Sequence, residues 1–148
     1  MSGVLDTNIL LYGANGDAPE HARAHELLES IARTADAWYL TEGIVYEFLR
    51  VATHPKVFPA PLLPHDALAF VSALLGCANV HVLSAGESHW SILGEVLEEL
   101  THPSGNLMFD VRTVVLMREH GVSRIYTTDT DLLQFAGIEV VNPLRPRA

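Results

Sequence analysis

The sequence places several carboxylates among apolar residues, where an unpaired charge is costly. Asp6 follows a short apolar run, and Glu47 and Asp110 lie in segments rich in apolar residues. Asp129 and Asp131 follow another short apolar segment near the end of the chain. A buried carboxylate is normally paired, hydrogen-bonded or bound to a metal. When several carboxylates come together they repel one another, and a divalent cation relieves that repulsion.

The chemistry that suits such a cluster is hydrolysis of a phosphodiester. Carboxylate oxygens are hard ligands that favour Mg²⁺ or Mn²⁺ over zinc. A cation of this kind can lower the pKa of bound water, orient the scissile phosphate and stabilise the leaving oxygen. Each acid alone also has an ordinary structural explanation: a helix cap at Asp6, an ion pair between Glu47 and Arg50, a favourable helix dipole at Asp110, and a cap or turn at Asp129 and Asp131.

The elements that must position these acids alternate along the chain. Apolar periodicity predicts strands near residues 3–6, 38–40, 79–83, 124–126 and 139–141. It predicts helices over residues 7–13, 19–35, 42–53, 64–75, 87–100 and 108–120, and a short one over 132–135. Thr41 is expected to cap the third of these helices, and Gly121 to end the sixth. Strands separated by helices indicate an α/β layered fold with a largely parallel sheet.

A parallel sheet brings two of the acidic segments together. Ligands of such sheets bind beyond the carboxyl ends of the strands. Asp6 lies at the end of the first predicted strand, and residues 127–131 follow the fourth. We therefore expect the two segments to meet at one edge of the sheet.

Length and composition limit the classes of protein. The chain has 148 residues, of which 49% are hydrophobic, so we expect one compact domain over residues 1–148. It contains a single cysteine, Cys77, which excludes an internal disulfide and a cysteine-based zinc site and suggests a buried structural thiol. There is no apolar run of the ~20 residues that a membrane span needs, and no secretory signal, so we expect a soluble, cytoplasmic protein.

The charge distribution argues against a broad basic surface for nucleic acid. The formal net charge is −9, and Lys56 is the only lysine. An acidic surface suits a basic protein partner, and a few arginines could still contact phosphate. The candidates for such contacts are Arg50, Arg112, Arg118, Arg124, Arg145 and Arg147.

A recognisable pattern runs along the chain in five segments. They are the opening run Val4-Leu5-Asp6-Thr7-Asn8-Ile9-Leu10-Leu11-Tyr12, the run Tyr46-Glu47-Phe48-Leu49-Arg50 that leads to His54-Pro55, the pair Phe109-Asp110, the run Thr128-Asp129-Thr130-Asp131-Leu132, and the closing run Val140-Val141-Asn142-Pro143-Leu144. These segments resemble the PIN-domain ribonucleases, and specifically the VapC-type toxins of bacterial toxin–antitoxin pairs. Their order and spacing match over the whole chain. The sequence departs from the usual pattern at Phe109, where a polar residue often precedes the acid, and at Leu132, where phenylalanine is common.

The resemblance implies a three-layer α/β/α fold with a mostly parallel sheet of about four to five short strands. It implies a catalytic site of Asp6, Glu47, Asp110 and Asp129, with Asp6, Asp110, Asp129 and Asp131 as ligands of Mg²⁺ or Mn²⁺. Thr7, Asn8 and Thr128 would orient the carboxylates or bound water. The family also implies cleavage of structured RNA such as tRNA or ribosomal RNA, a homodimer, and inhibition by a VapB-type antitoxin.

Two rival interpretations have different chemistry. A phosphatase of the haloacid dehalogenase type also opens with an aspartate after an apolar strand, but it needs a second aspartate two positions on, where this chain has Asn8. A PIN-like module that binds RNA or protein without cutting it would not need metal. His21 and His25 are four residues apart on a predicted helix, but their charged neighbours indicate a solvated face rather than a metal site.

Overall fold

A computed structural model describes residues 1–101 and 105–146 of the chain. The turn expected over residues 102–105 lies largely outside the described residues. Arg147, one of the arginines expected to contact phosphate, also lies outside them.

The centre of the protein is a parallel sheet of five short strands. They are β1 (Gly3–Leu5), β2 (Trp38–Thr41), β3 (Val80–Leu83), β4 (Arg124–Tyr126) and β5 (Glu139–Val141). Their spatial order is β3-β2-β1-β4-β5, and every neighbouring pair is parallel. The prediction of a mostly parallel sheet is confirmed, with all of these strands parallel.

Within the described residues, six α-helices cover the sheet. They are α1 (Thr7–Ala14), α2 (His21–Ile31), α3 (Glu42–Ala52), α4 (Pro64–Leu75), α5 (His89–Glu98) and α6 (Leu107–Glu119), and a 3₁₀ helix follows at Asp131–Gln134. Right-handed crossovers put α1 to α4 on one face of the sheet and α5 and α6 on the other. The packing of α1 against α2 and α3, of α3 against α4, and of α5 against α6 agrees with that arrangement. The fold is the expected three-layer α/β/α.

No helix among the described residues is both long and apolar enough to cross a membrane.

Local hydrogen bonds explain where the helices begin and end. The Thr41 hydroxyl accepts a bond from the N–H of Ile44 at 3.1 Å, so it caps α3 as predicted. Gly121 follows α6 with a φ of 69°, a left-handed conformation that favours glycine. The N–H of Val122 then bonds to the carbonyl of Met117 at 2.9 Å, which satisfies a carbonyl in the last turn.

Two predictions about local structure were wrong. The helix expected over residues 19–35 is shorter, because the Asn79 side-chain amide binds the carbonyls of Ile31 and Thr34 and ends α2 there. Cys77 is half-buried rather than buried, since it lies just beyond α4, where its thiol contacts the carbonyl of Ala73.

The strand order creates a crevice at one edge of the sheet. The connection after β1 leads to β2 on one side, whereas β4 lies on the other side of β1. Loops that leave neighbouring strands in opposite directions open a crevice at their carboxyl ends, and this is where ligands bind in such sheets. Leu5 pairs with Tyr126, so the next residues of the two strands, Asp6 and Thr127, meet in this crevice.

Candidate metal centre

Asp6 is held in a fixed orientation at the end of β1. One carboxylate oxygen, Oδ1, accepts a bond from the N–H of Thr7 at 2.8 Å and so caps α1. The other, Oδ2, accepts bonds from the Thr127 hydroxyl at 2.7 Å and from the Asn8 amide at 3.4 Å. Burial raises the pKa of Asp6, these bonds to Thr127 and Thr7 partly offset that effect, and the charges of Glu47 and Asp129 raise it further.

Thr127 is a site residue that the sequence did not reveal. Its hydroxyl donates to Asp6 and accepts from the Asn8 amide at 2.9 Å and from the N–H of Asp129 at 3.0 Å. Thr128, whose hydroxyl was expected to orient the carboxylates or bound water, donates its backbone N–H to Oδ1 of Asn8 at 3.1 Å. The signal that would have found Thr127 is its register, because it follows β4 just as Asp6 follows the adjacent β1.

Replacing Thr127 by valine tests this arrangement. The substitution keeps the shape but leaves the Asn8 amide and the N–H of Asp129 without their shared acceptor. We expect the free energy of unfolding to fall by about 1–3 kcal/mol. Thr127→Ser keeps the hydroxyl and should restore most of that stability, as measured by urea denaturation. Equal stability of the valine variant and the wild-type protein would contradict the role assigned to this hydroxyl.

Glu47 reaches the site from α3, which packs against α1. Its Oε2 accepts a bond from the Thr7 hydroxyl at 3.1 Å, so Thr7 orients a carboxylate as expected. Within the two described stretches, Glu47 forms no ion pair with Arg50, which removes the ordinary explanation for this acid. Its negative charge acts on both Asp6 and Asp110, so the carboxylate lies near the cluster, and among the described residues Oε1 has no hydrogen-bond partner.

Three acids come close enough to share one cation. One carboxylate oxygen from each of Asp110, Asp129 and Asp131 lies within 4.8 Å of the others. Asp110 comes from the first turn of α6, on the opposite face of the sheet from Glu47. Asp129 Oδ1 accepts the N–H of Asp131 at 2.9 Å. Asp131 is the first residue of the 3₁₀ helix and not its cap, a position that Thr130 occupies.

The pKa of Asp110 shows that all five acids form one electrostatic unit. It is raised to about 7, first by burial and then by the negative charges of Asp6, Asp129, Asp131 and Glu47. These acids come from the ends of β1 and β4, from α3 and α6, and from the 3₁₀ helix, so the fold holds together carboxylates that repel one another when they are ionised. A set made only of carboxylate oxygens fits a hard divalent cation such as Mg²⁺ or Mn²⁺.

The arginines that were expected to contact phosphate differ in their surroundings. Arg118 is paired with Glu99 and Arg124 with Glu139, so both neutralise acids of this chain. Arg145 borders a different cavity. Arg50 and Arg112 both line a groove beside Glu47.

The two histidines of α2 form no metal site with other residues of the described chain. The rings of His21 and His25 stack with centroids 5.4 Å apart. His21 contacts the carbonyl of Tyr12, and His25 lies near Glu29 on the exposed face. His25 lies on the solvated face that the sequence indicated, whereas His21 is half-buried against α1.

Comparison with known families agrees with the geometry of the site. The family model described as PIN domain matches residues 3–138, which include every acid of the cluster. The chain belongs to the PIN-domain family. Membership accounts for the order of the acidic segments along the chain, and the amide at Asn8 leaves no support for the phosphatase interpretation.

Curated relatives of this PIN domain match over nearly their whole length. Ribonuclease VapC33 of Mycobacterium tuberculosis is 35% identical over 140 residues, covering 95% of this chain and 96% of that protein. Ribonuclease VapC48 of the same organism is 30% identical over 143 residues, covering 97% of this chain and 98% of that protein.

Solved structures share the fold at low sequence identity. VapBC2 from Rickettsia felis, bound to a DNA fragment from its promoter, matches with a TM-score of 0.68 at 16% identity, over 96% of this chain and 98% of that one. M. tuberculosis VapC20, described as a sarcin–ricin loop cleaving toxin, matches with a TM-score of 0.63 at 15% identity, over 94% and 99% of the two chains. FitAB bound to a DNA fragment matches with a TM-score of 0.64 at 20% identity, over 100% and 99%.

Proposed function

We propose that this PIN domain is a metal-dependent endoribonuclease of the VapC type, which hydrolyses phosphodiester bonds in structured RNA. The observation that carries the proposal is the convergence of five carboxylates at the carboxyl edge of a parallel sheet. Burial of Asp110, and after it the negative charges of the four other acids, raise the pKa of Asp110 to about 7. A cluster of carboxylates that lowers the stability of the fold when no cation is bound is expected at a site where a cation takes part in catalysis. The names of the full-length relatives, VapC33 and VapC48, support ribonuclease activity.

The acids of the cluster would have two roles, metal binding and acceptance of a proton. Asp110, Asp129 and Asp131 would bind Mg²⁺ or Mn²⁺, with Asp6 completing the set of ligands. When bound, the cation would lower the pKa of a water molecule and neutralise charge on the phosphate. Glu47, oriented by Thr7, has one carboxylate oxygen free to accept a proton from the attacking water.

The hydrogen-bonded residues around the acids would keep the geometry rigid. Thr127 and Asn8 hold the Asp6 carboxylate, and Thr127 also receives the N–H of Asp129. This fixes the ends of β1 and β4 relative to each other. Preorganised ligands need little rearrangement when the substrate arrives, which is the main contribution that a protein makes to such catalysis.

A protein inhibitor belongs to the same proposal. The structural relatives VapBC2 and FitAB are described as complexes bound to DNA. We infer that this chain pairs with a VapB-type antitoxin and forms a homodimer. The net charge of −9 suits a basic partner segment, which would also neutralise the acidic cluster.

Cleavage of total cellular RNA tests the proposed activity. Purified protein is incubated with RNA in Mg²⁺, in Mn²⁺ and in EDTA, beside the Asp6→Ala variant. We expect discrete fragments that require both metal and Asp6, and sequencing of their ends identifies the target. If protein purified under denaturing conditions and refolded also leaves RNA intact, the protein is a binding module and the proposed activity is wrong.

A further inference from the structure

A groove next to the acidic cluster has features that metal binding does not explain. It lies between α3 and the start of α6 and has a volume of about 530 Å³. Its lining consists of Gly43, Tyr46, Arg50, Asn106, Phe109 and Arg112, with Glu47 where it adjoins the cluster. We call this surface the aromatic groove. Its volume lies in the ~300–1,000 Å³ range typical of small-ligand sites.

Helix periodicity explains why these side chains share one surface. Gly43, Tyr46 and Arg50 are spaced three and four residues apart on α3, so they lie on one face of the helix. Phe109 and Arg112 are three residues apart on α6 and face them. Glu47 and Asp110 directly follow Tyr46 and Phe109 in sequence. Each ring is therefore carried on the same helical turn as an acid of the cluster.

Two large aromatic side chains in the groove are strongly exposed. Tyr46 is 72% exposed and Phe109 is 66% exposed. Because most of the Phe109 side chain is exposed to water at the rim of a charged site, its burial adds little to the stability of the fold. Exposed aromatic faces beside a phosphate-cleaving centre are the surfaces on which unpaired bases stack, and any base can use them because every base has a π-face.

The cations of the groove are unusual for so acidic a chain. Arg50 has no ion pair in the part of the chain that the structure describes, and the only pair of Arg112 is with Glu42 at 3.9 Å. The absence of a side chain at Gly43 leaves room for the Arg112 guanidinium, because a Cβ there would lie 3.0 Å from Nη1. The groove therefore offers two guanidinium groups that can donate hydrogen bonds to phosphate, on a protein whose net charge is −9.

We propose that the aromatic groove binds an unpaired nucleotide of the RNA next to the scissile phosphate. Its base would stack on Tyr46 or Phe109, and its phosphates would contact Arg50 and Arg112. The inference rests on the proposed ribonuclease function and names the part of the substrate that this surface recognises. A mixture of stacking faces and cations suits a nucleotide better than an apolar peptide helix, because only two of the lining side chains are aromatic and the rest are charged, polar or glycine.

Binding of short RNA tests the groove separately from cleavage. The Asp6→Asn variant, which retains a capping side chain but is expected not to cleave, is used as the parent protein in Mg²⁺. Fluorescence anisotropy measures its Kd for two labelled probes, an octamer of riboadenosine and an abasic octamer with the same ribose-phosphate backbone. Tyr46→Ala and Phe109→Ala are compared with Trp90→Ala, which removes another exposed aromatic, on α5, outside the groove.

We expect Tyr46→Ala and Phe109→Ala each to weaken binding of the adenosine octamer about tenfold. Trp90→Ala should leave it unchanged, and the abasic octamer should be insensitive to all three substitutions. Tyr46→Phe, which keeps the ring, should restore the affinity. Arg50→Gln should weaken both probes alike and lower the slope of log Kd against log salt by about one.

Two results would overturn the inference. One is an unchanged Kd for the adenosine octamer in both alanine variants, which would show that neither ring of the groove binds a base. The other is an equal loss of affinity for the abasic probe, which would show that no base is stacked. Neither result bears on cleavage by the wild-type protein, so failure of this inference is distinguishable from failure of the proposed activity.

Discussion

The Asp129→Asn variant is expected to cleave RNA at least about 100-fold more slowly than the wild-type protein. Asp129 contributes a carboxylate to the proposed metal site, and its own N–H and Oδ1 are fixed by Thr127 and by the N–H of Asp131. Asparagine can retain the bond to Asp131 but removes the negative charge that a hard cation needs. We expect the loss in kcat with little change in folding, as measured by initial cleavage rates and circular dichroism.

Two matched substitutions show whether the effect is specific. Asp131→Asn removes a more exposed carboxylate of the same cluster, and we expect a smaller loss of cleavage than for Asp129→Asn. Asp17→Asn changes an exposed acid beyond the far end of α1 and should cleave normally. If Asp129→Asn cleaved as fast as Asp17→Asn, the metal site would have to lie elsewhere.

The Asp110→Asn variant is expected to be more stable than the wild-type protein at pH 8 in EDTA. The pKa of Asp110 is raised from 3.8 to about 7 in the folded protein. Its protonated form is therefore favoured by folding, so the stability that it contributes is complete below pH 3.8 and is lost as the pH rises through about 7. Asparagine does not ionise, so the variant does not lose this stability as the pH rises. We therefore expect its Tm to be about 3 °C or more above that of the wild-type protein at pH 8.

Magnesium should reverse the order of the Tm values of the wild-type protein and the Asp110→Asn variant. A cation that binds the ionised carboxylates of the folded state raises Tm, and more so at pH 8 than at pH 6, because protons compete for the same oxygens. The wild-type protein should show this rise and Asp110→Asn should show little of it. Thermal denaturation in EDTA and in Mg²⁺ measures both effects, with Asp17→Asn as control. A lower Tm for Asp110→Asn in EDTA would mean that the cluster is not repulsive.

Much of the site could be predicted because it lies where parallel strands end. The apolar run before Asp6 and the strand before residues 127–131 were sufficient to predict that these segments meet. The cap at Thr41 and the stop at Gly121 were predictable from local chemistry alone. These features depend on neighbours in sequence or on the simplest rule of strand adjacency.

Other features depend on tertiary packing and left no local signal. Nothing in the segments around Glu47 and Asp110 indicates that α3 and α6 bring them to the same crevice, and only the family resemblance implied it. The run 127–131 contains three threonines, and the register of β4 against β1 decides which hydroxyl reaches Asp6. The pairing of Arg118 with Glu99 likewise required the folded structure.

We propose above all that these acids hold a divalent cation, and titration with Mn²⁺ followed by electron paramagnetic resonance tests this claim most directly. The free Mn²⁺ signal falls as the ion binds, so the number of sites and the Kd are measured without RNA. We expect specific Mn²⁺ binding by the wild-type protein and by Asp17→Asn, competition by Mg²⁺, and a loss of at least about tenfold in affinity for Asp110→Asn and Asp129→Asn. Equal Mn²⁺ binding by all four proteins would contradict the claim.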